Sequence, residues 1–199
     1  MAVIPVEMGE TQISARPGDR LLAIGLGACV GVCLYDPSAG VAAMAHVVLP
    51  KTPTLPAAVP GKRSLIHLPG KCADTAIPHM LAEIQKAGAH PGRIRAAIVG
   101  GAQIFTATPS TRPGGSVVST RLEIGPRNIE AVKAGLAKAR IPILAEMTGG
   151  FCGRTVTFHV TQGQVSVRPI GAEERLLVTL AERQSLVGDP RGREGIFRG

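Results

Sequence analysis

Apolar positions are densest between residues 21 and 48, where two β-rich runs are separated by Asp36-Pro37-Ser38-Ala39-Gly40, the pattern of a β-hairpin. From Pro50 to Lys71 prolines at 50, 53, 56, 60 and 69 interrupt every period, so this stretch reads as a long surface loop. Asp74 or Thr75 is placed to cap a helix running to about Ala87, with Ile77, Leu81 and Ile84 on one face, Pro78 in the first turn and Gly88 past the end. Residues 94–105 (IRAAIVGGAQIF) predict a buried strand running into a Gly-Gly turn, and the polar PSTRPGGSVVST stretch after it predicts a loop. Gly125-Pro126 opens a second helix with Ile129, Val132 and Leu136 as its apolar stripe. Three β-rich runs follow at 141–147, 154–160 and 164–170, the last two joined by a tight turn at Thr161-Gln162-Gly163, and a final helix is predicted over Glu173 to Ser185. Strands and helices come in blocks, without a regular βα repeat, which predicts one α+β domain over residues 1–187. Residues 188–199 read as a basic, mobile tail.

Length and composition narrow the function. A chain of 199 residues can build a core without disulfides or a structural metal, and 45% hydrophobic residues with no Trp, one Tyr and four Phe make that core aliphatic. The few aromatics argue against single-stranded nucleic acid as the partner of a chain with net charge +8, because such binding stacks bases on aromatic rings. An anionic protein surface suits the charge equally well. Cysteines at 29, 33, 72 and 152 form no C-x2-C pair, so no metal site or cofactor is expected. The start, MAVIPVEMGETQ, carries Glu7 and Glu10 where a signal peptide would stay apolar, and no run reaches the roughly 20 apolar residues of a membrane span. A cytoplasmic protein with free thiols and no membrane insertion is the expectation.

Within GLGAC, two glycines directly before Cys29 let the backbone turn tightly and present N–H groups beside a sulfur, as an oxyanion site requires, with Gly25, Gly27 and Ala28 forming the loop. A thiol with an ordinary pKa near 8.5 needs a base, and His46 is the candidate. If Tyr35 faces Gly40 across the hairpin, Cys29 lies directly opposite His46; if Tyr35 faces Val41, the two side chains point to opposite faces. Cys29 also reads as a small buried hydrophobe and His46 as a satisfied core histidine. Cys33 and Cys72 have neither a glycine turn nor a base near them in sequence, whereas Cys152 sits in a glycine turn of its own.

The strings GLGACVGVCLYDP, GVAAMAHVVLP, KCADTAIPHML, VGGAQIF, IGPRNIEAVKAGL and GGFCGRTVTFHVTQGQVSVR resemble, in order and spacing, the CheD family of chemoreceptor glutamine deamidases up to about residue 170. The resemblance implies a β-sandwich-like sheet core with flanking helices, Cys29 as nucleophile, His46 as its histidine, and no cofactor. It implies as partner the cytoplasmic helical bundle of a methyl-accepting chemotaxis receptor, whose glutamines become glutamates, with receptor methyl esters as further substrates and a CheC-type phosphatase as a further partner. Two positions depart from the family. Its third active-site residue, a threonine six positions before the cysteine, is here Ala23, and an aromatic residue is replaced by Cys72. Loss of an orienting hydroxyl costs about 1–3 kcal/mol unless a backbone carbonyl, Thr11 or Ser14 replaces it. Without that replacement, the alternative is a module that docks on receptors or CheC with weakened catalysis. Gly100, Gly101, Arg127, Asn128, Gly150 and Arg154 lie in the other shared blocks, either lining the groove and holding the catalytic loop or capping helices and closing turns.

Overall fold

Two apolar runs without alternation, VGVCLYD and VAAMAHV, become the strands β4 (Val30–Asp36) and β5 (Val41–Val47), every residue of which is buried. Unbroken burial means cover on both faces, which is why the polar positions of a half-exposed strand are missing. The computed structural model describes residues 1–53, 68–103 and 123–181. In it β4 and β5 lie in a mixed sheet of order β2-β5-β4-β6-β7, where β2 is Thr11–Ser14, β6 Arg95–Gly100 and β7 Ile143–Thr148. The second sheet has the order β1-β3-β8-β9-β10, with β1 Val3–Pro5, β3 Arg20–Leu26, β8 Arg154–His159, β9 Gln164–Pro169 and β10 Arg175–Thr179.

Three layers result. Val30, Val32, Leu34, Ala43 and Ala45 project from the central sheet toward the helices α1 (Ala73–Lys86) and α2 (Ile124–Lys138), where Ile77, Met80, Ile84, Val132 and Leu136 complete one core. Cys33, Tyr35, Ala42 and Met44 project the other way and pack between the sheets on Leu21, Ala23, Leu26, Val156 and Phe158. This is the expected α+β domain, a two-sheet sandwich flanked by helices.

Several expectations need correction. The first β-rich run is two strands, β3 and β4, in different sheets, so the GLGAC segment is where the chain crosses between them. The hairpin closes with Asp36 opposite Val41 and Gly31 opposite His46, a register shifted by one from the Tyr35–Val41 pairing and by two from the Tyr35–Gly40 pairing. The turn, Pro37 to Gly40, sits one residue further along the chain than a Tyr35–Gly40 closure would put it, with Gly40 N–H bonded to the Asp36 carbonyl. Helix α1 begins at Ala73 with Cys72 as an N-cap that makes no side-chain cap bond. Asp74 instead accepts from the Thr52 amide and hydroxyl, and the Thr75 hydroxyl donates to the Pro69 and Cys72 carbonyls. The earlier start moves Pro78 into the second turn.

Where a helix was expected from Glu173, residues 175–179 form β10, paired antiparallel to β9. The helix-favouring composition loses to sheet pairing, because Leu180 just beyond β10 is fully buried and its N–H bonds the Gly163 carbonyl. Strands β1 and β2 had no counterpart in the sequence reading. Pro56 and Pro60 of the 50–71 loop, the PSTRPGGSVVST stretch and the tail lie outside the described residues. Among the described residues no helix is long and apolar enough to cross a membrane.

Candidate active site

Strand β3 reaches Leu26 through a bulge between Ala23 and Leu26, with Gly25 at φ +73°, a left-handed conformation that glycine adopts without strain. Residues 27–29 then carry the chain across to β4. Each carbonyl of this crossover is tied down. Ala102 N–H donates to Gly27 O at 2.7 Å, Gly101 N–H to Cys29 O at 2.7 Å, and Asn128 Nδ2 to Ala28 O at 2.9 Å. Among the described residues no acceptor takes the N–H of Gly27, Ala28 or Cys29. Carbonyls fixed on one side with amides free on the other are the arrangement of an oxyanion site. Gly100, at φ +113°, is required beside it, because a Cβ there would overlap the Cys29 carbonyl.

His46 lies opposite Gly31, and Cys29 precedes Gly31 by two residues, so the observed register returns thiol and imidazole to one face in a diagonal relation. That face looks between the sheets, where Cys29 packs at the edge of the core that contains Ala42 and Met44. The imidazole is 2% exposed, with Nδ1 3.2 Å from the Val6 carbonyl. A carbonyl only accepts, so in the neutral ring Nδ1 carries the proton and Nε2 keeps its lone pair. Nε2 has no hydrogen-bond partner among the described residues, Cys29 included. Burial lowers the His46 pKa, opposed by the Val6 bond and by Glu7, and burial raises that of the half-buried Cys29 thiol. At neutral pH both are uncharged.

Ala23 is fully buried facing the same inter-sheet core, in register with Val156. The parallel ladder that sets Ile4 beside Leu21 and Pro5 beside Leu22 brings Val6 alongside Ala23, with Val6 N–H bonded to Leu22 O at 2.8 Å. The carbonyl that holds His46 therefore stands next to the position of the family's threonine. Ser14 is committed elsewhere, donating to Asp19 at 2.9 Å, and the Thr11 hydroxyl has no partner among the described residues. Val6 is the functional group the sequence reading did not name, since a backbone carbonyl leaves no signature in residue types.

The remaining candidates divide. Gly100 O accepts from Gly149 N–H at 2.9 Å, and Gly150 O from Gln103 N–H at 2.8 Å, which buttons the 149–150 turn onto the loop that holds Gly27 and Cys29. Arg154 is buried and donates to Gly149 O at 2.8 Å, and its Nη1 has no partner among the described residues. Arg127 turns away and lines an open groove of about 800 Å³ between α1 and α2, which neither Cys29 nor His46 borders. Cys33 is fully buried, and burial pushes its thiol far up. Cys72 is buried at the start of α1, and Cys152 donates to Gly153 O at 3.2 Å.

Comparison with known proteins converges on one family. Residues 54–169 match the family model described as CheD chemotactic sensory transduction, a span that begins after both Cys29 and His46. The protein named "Chemoreceptor glutamine deamidase CheD" in Thermotoga maritima is 39% identical over 171 residues, covering 86% of this chain and 94% of that one. The one named "Probable chemoreceptor glutamine deamidase CheD" in Desulforamulus reducens is 38% identical over 176 residues, covering 88% and 96%. Among solved structures, YlmD from Geobacillus stearothermophilus aligns over 71% of this chain and 51% of that one at 17% identity, with a TM-score of 0.41 from which nothing follows about function. With a family model across more than half its length and relatives of this identity along most of it, the chain belongs to the CheD family.

Proposed function

We propose that this protein hydrolyses side-chain amides of glutamine residues in chemoreceptors, with Cys29 as nucleophile and His46 as general base. The observation that carries the reading is a buried imidazole anchored through Nδ1 on Val6, its Nε2 unpartnered on the face it shares with Cys29. Because both groups rest uncharged, proton transfer accompanies attack. Nε2 takes the thiol proton as sulfur bonds to the carboxamide carbon, and the N–H groups of Ala28 and Cys29 receive the negative oxygen. The tetrahedral adduct expels ammonia, which leaves with the proton from His46. Water, deprotonated by His46, then cleaves the γ-glutamyl thioester, giving glutamate and the free thiol. A glutamyl methyl ester follows the same route with methanol as leaving group.

The docking-only alternative rests on the hydroxyl missing at Ala23. The Val6 carbonyl takes up the orienting bond, which supports retained catalysis. The test is Cys29→Ala assayed on a receptor cytoplasmic fragment, by ammonia release and by the mass change from amide to acid. The expected result is loss of both with fold and receptor binding kept. Full ammonia release by the variant overturns the assignment.

A further inference from the structure

We infer that Asn128 is a positioning residue for the oxyanion site, acting through the Ala28–Cys29 peptide; the inference rests on the mechanism proposed above. Asn128 is fully buried within α2, where asparagine is a poor helix former. Its side-chain nitrogen donates to Ala28 O at 2.9 Å and to Val48 O at 3.0 Å, while its Oδ1 has no partner among the described residues. Burying an amide with an unpaired oxygen is unfavourable, and an apolar residue there would avoid it. What the asparagine adds is a link between two pieces of the site, since Ala28 precedes the nucleophile and Val48 lies two residues beyond the base.

The geometry of that link is directional. In a trans peptide the carbonyl and the N–H point opposite ways, and the plane that ends in the Ala28 carbonyl also contains the Cys29 N–H. Helix α2 packs on the face of the central sheet opposite to the one that Cys29 and His46 share. A carbonyl drawn toward α2 by Asn128 therefore aims the Cys29 N–H at the face where the substrate oxygen becomes charged. Donation into the carbonyl also polarises the peptide and strengthens that N–H as a donor. The neighbouring bonds from Ala102 to Gly27 and from Gly101 to Cys29 hold the flanking planes, so Asn128 controls the middle one.

The experiment compares Asn128→Leu and Asn128→Ala with the full-length protein, scoring deamidation of a receptor cytoplasmic fragment and alkylation of Cys29 by iodoacetamide, followed by peptide mass mapping. Leucine keeps the volume filled and has no donor, so it covers the case in which the cavity left by alanine prevents folding. Alkylation uses the same sulfur and forms no oxyanion. The expected result is a kcat lower by about 10- to 100-fold with KM and alkylation rate unchanged, the scale of a misplaced transition-state contact. Undiminished kcat in a folded variant, or a parallel fall in alkylation and deamidation, overturns the inference. Cys29→Ala run alongside separates the two layers. Deamidation by that variant removes the mechanism itself, whereas an inactive Cys29→Ala beside fully active Asn128 variants removes the positioning role alone.

Discussion

Burial moves the two ionisations of the Cys29–His46 pair apart, the imidazole below 6.5 and the thiol above 9.0. The productive form holds one proton between them, so kcat/KM is expected to be flat across neutral pH, falling in acid with a midpoint below 6.5 and in alkali only above 9.0. A pH profile whose acid limb is centred above 6.5 contradicts this. Ala23→Thr is the second residue-scale prediction. The Val6 carbonyl already holds Nδ1, so restoring the hydroxyl should leave kcat nearly unchanged, while two extra atoms in a filled core cost about 1–3 kcal/mol of stability. A large gain in kcat would show that the carbonyl does not suffice. As candidates, Cys29 and His46 were legible because a glycine-flanked cysteine and a histidine on an apolar strand stand out by residue type, and family resemblance sharpened that reading. Their register was not, since a hairpin turn one residue wider or narrower changes every facing pair.

At the scale of elements, Asp36 fastens the β4–β5 turn to the connection between α1 and β6. Its carboxylate, fully buried, accepts from Ser38 N at 2.9 Å and His90 N at 2.8 Å and pairs with Arg93 at 3.0 Å, bonds that lower its pKa to about 2 against the opposing effect of burial. Asp36→Ala should destabilise the fold by about 1–3 kcal/mol, at the lower end because Arg93 is itself half-exposed, as read from chemical denaturation. Deamidase kcat should not change, because Asp36 lies at the far end of β4 from Cys29. The two helices were legible from periodicity and strands β4 to β9 from apolar or β-rich runs bounded by turn residues. Strands β1 and β2 are three and four residues long and form only by pairing with β3 and β5, a long-range fact that no local pattern carries. The same holds for β10, where local preference pointed to a helix.

For the whole molecule, the chain leaves one sheet at Leu26 and enters the other at Val30, so that the proposed catalytic loop, His46 and its Val6 support come from three separated segments. The sandwich was legible only through resemblance, because the pattern says which runs are strands and not which of two sheets receives them. Placing a histidine between those layers makes its ionisation bear on stability. Below 6.5 the unfolded chain protonates His46 while the folded chain, with its lowered pKa, does not, so the unfolded state binds more protons and stability rises with pH across that window. The loss is complete once pH lies below both values. Asp36 adds a second acid limb of the same sign, since its stabilisation is present above 3.8 and disappears as pH falls toward about 2. Urea midpoints are therefore expected to decline in two stages on acidification. In His46→Gln the first stage should vanish while the second persists, and an unchanged first decline would mean that some group other than the buried imidazole sets it.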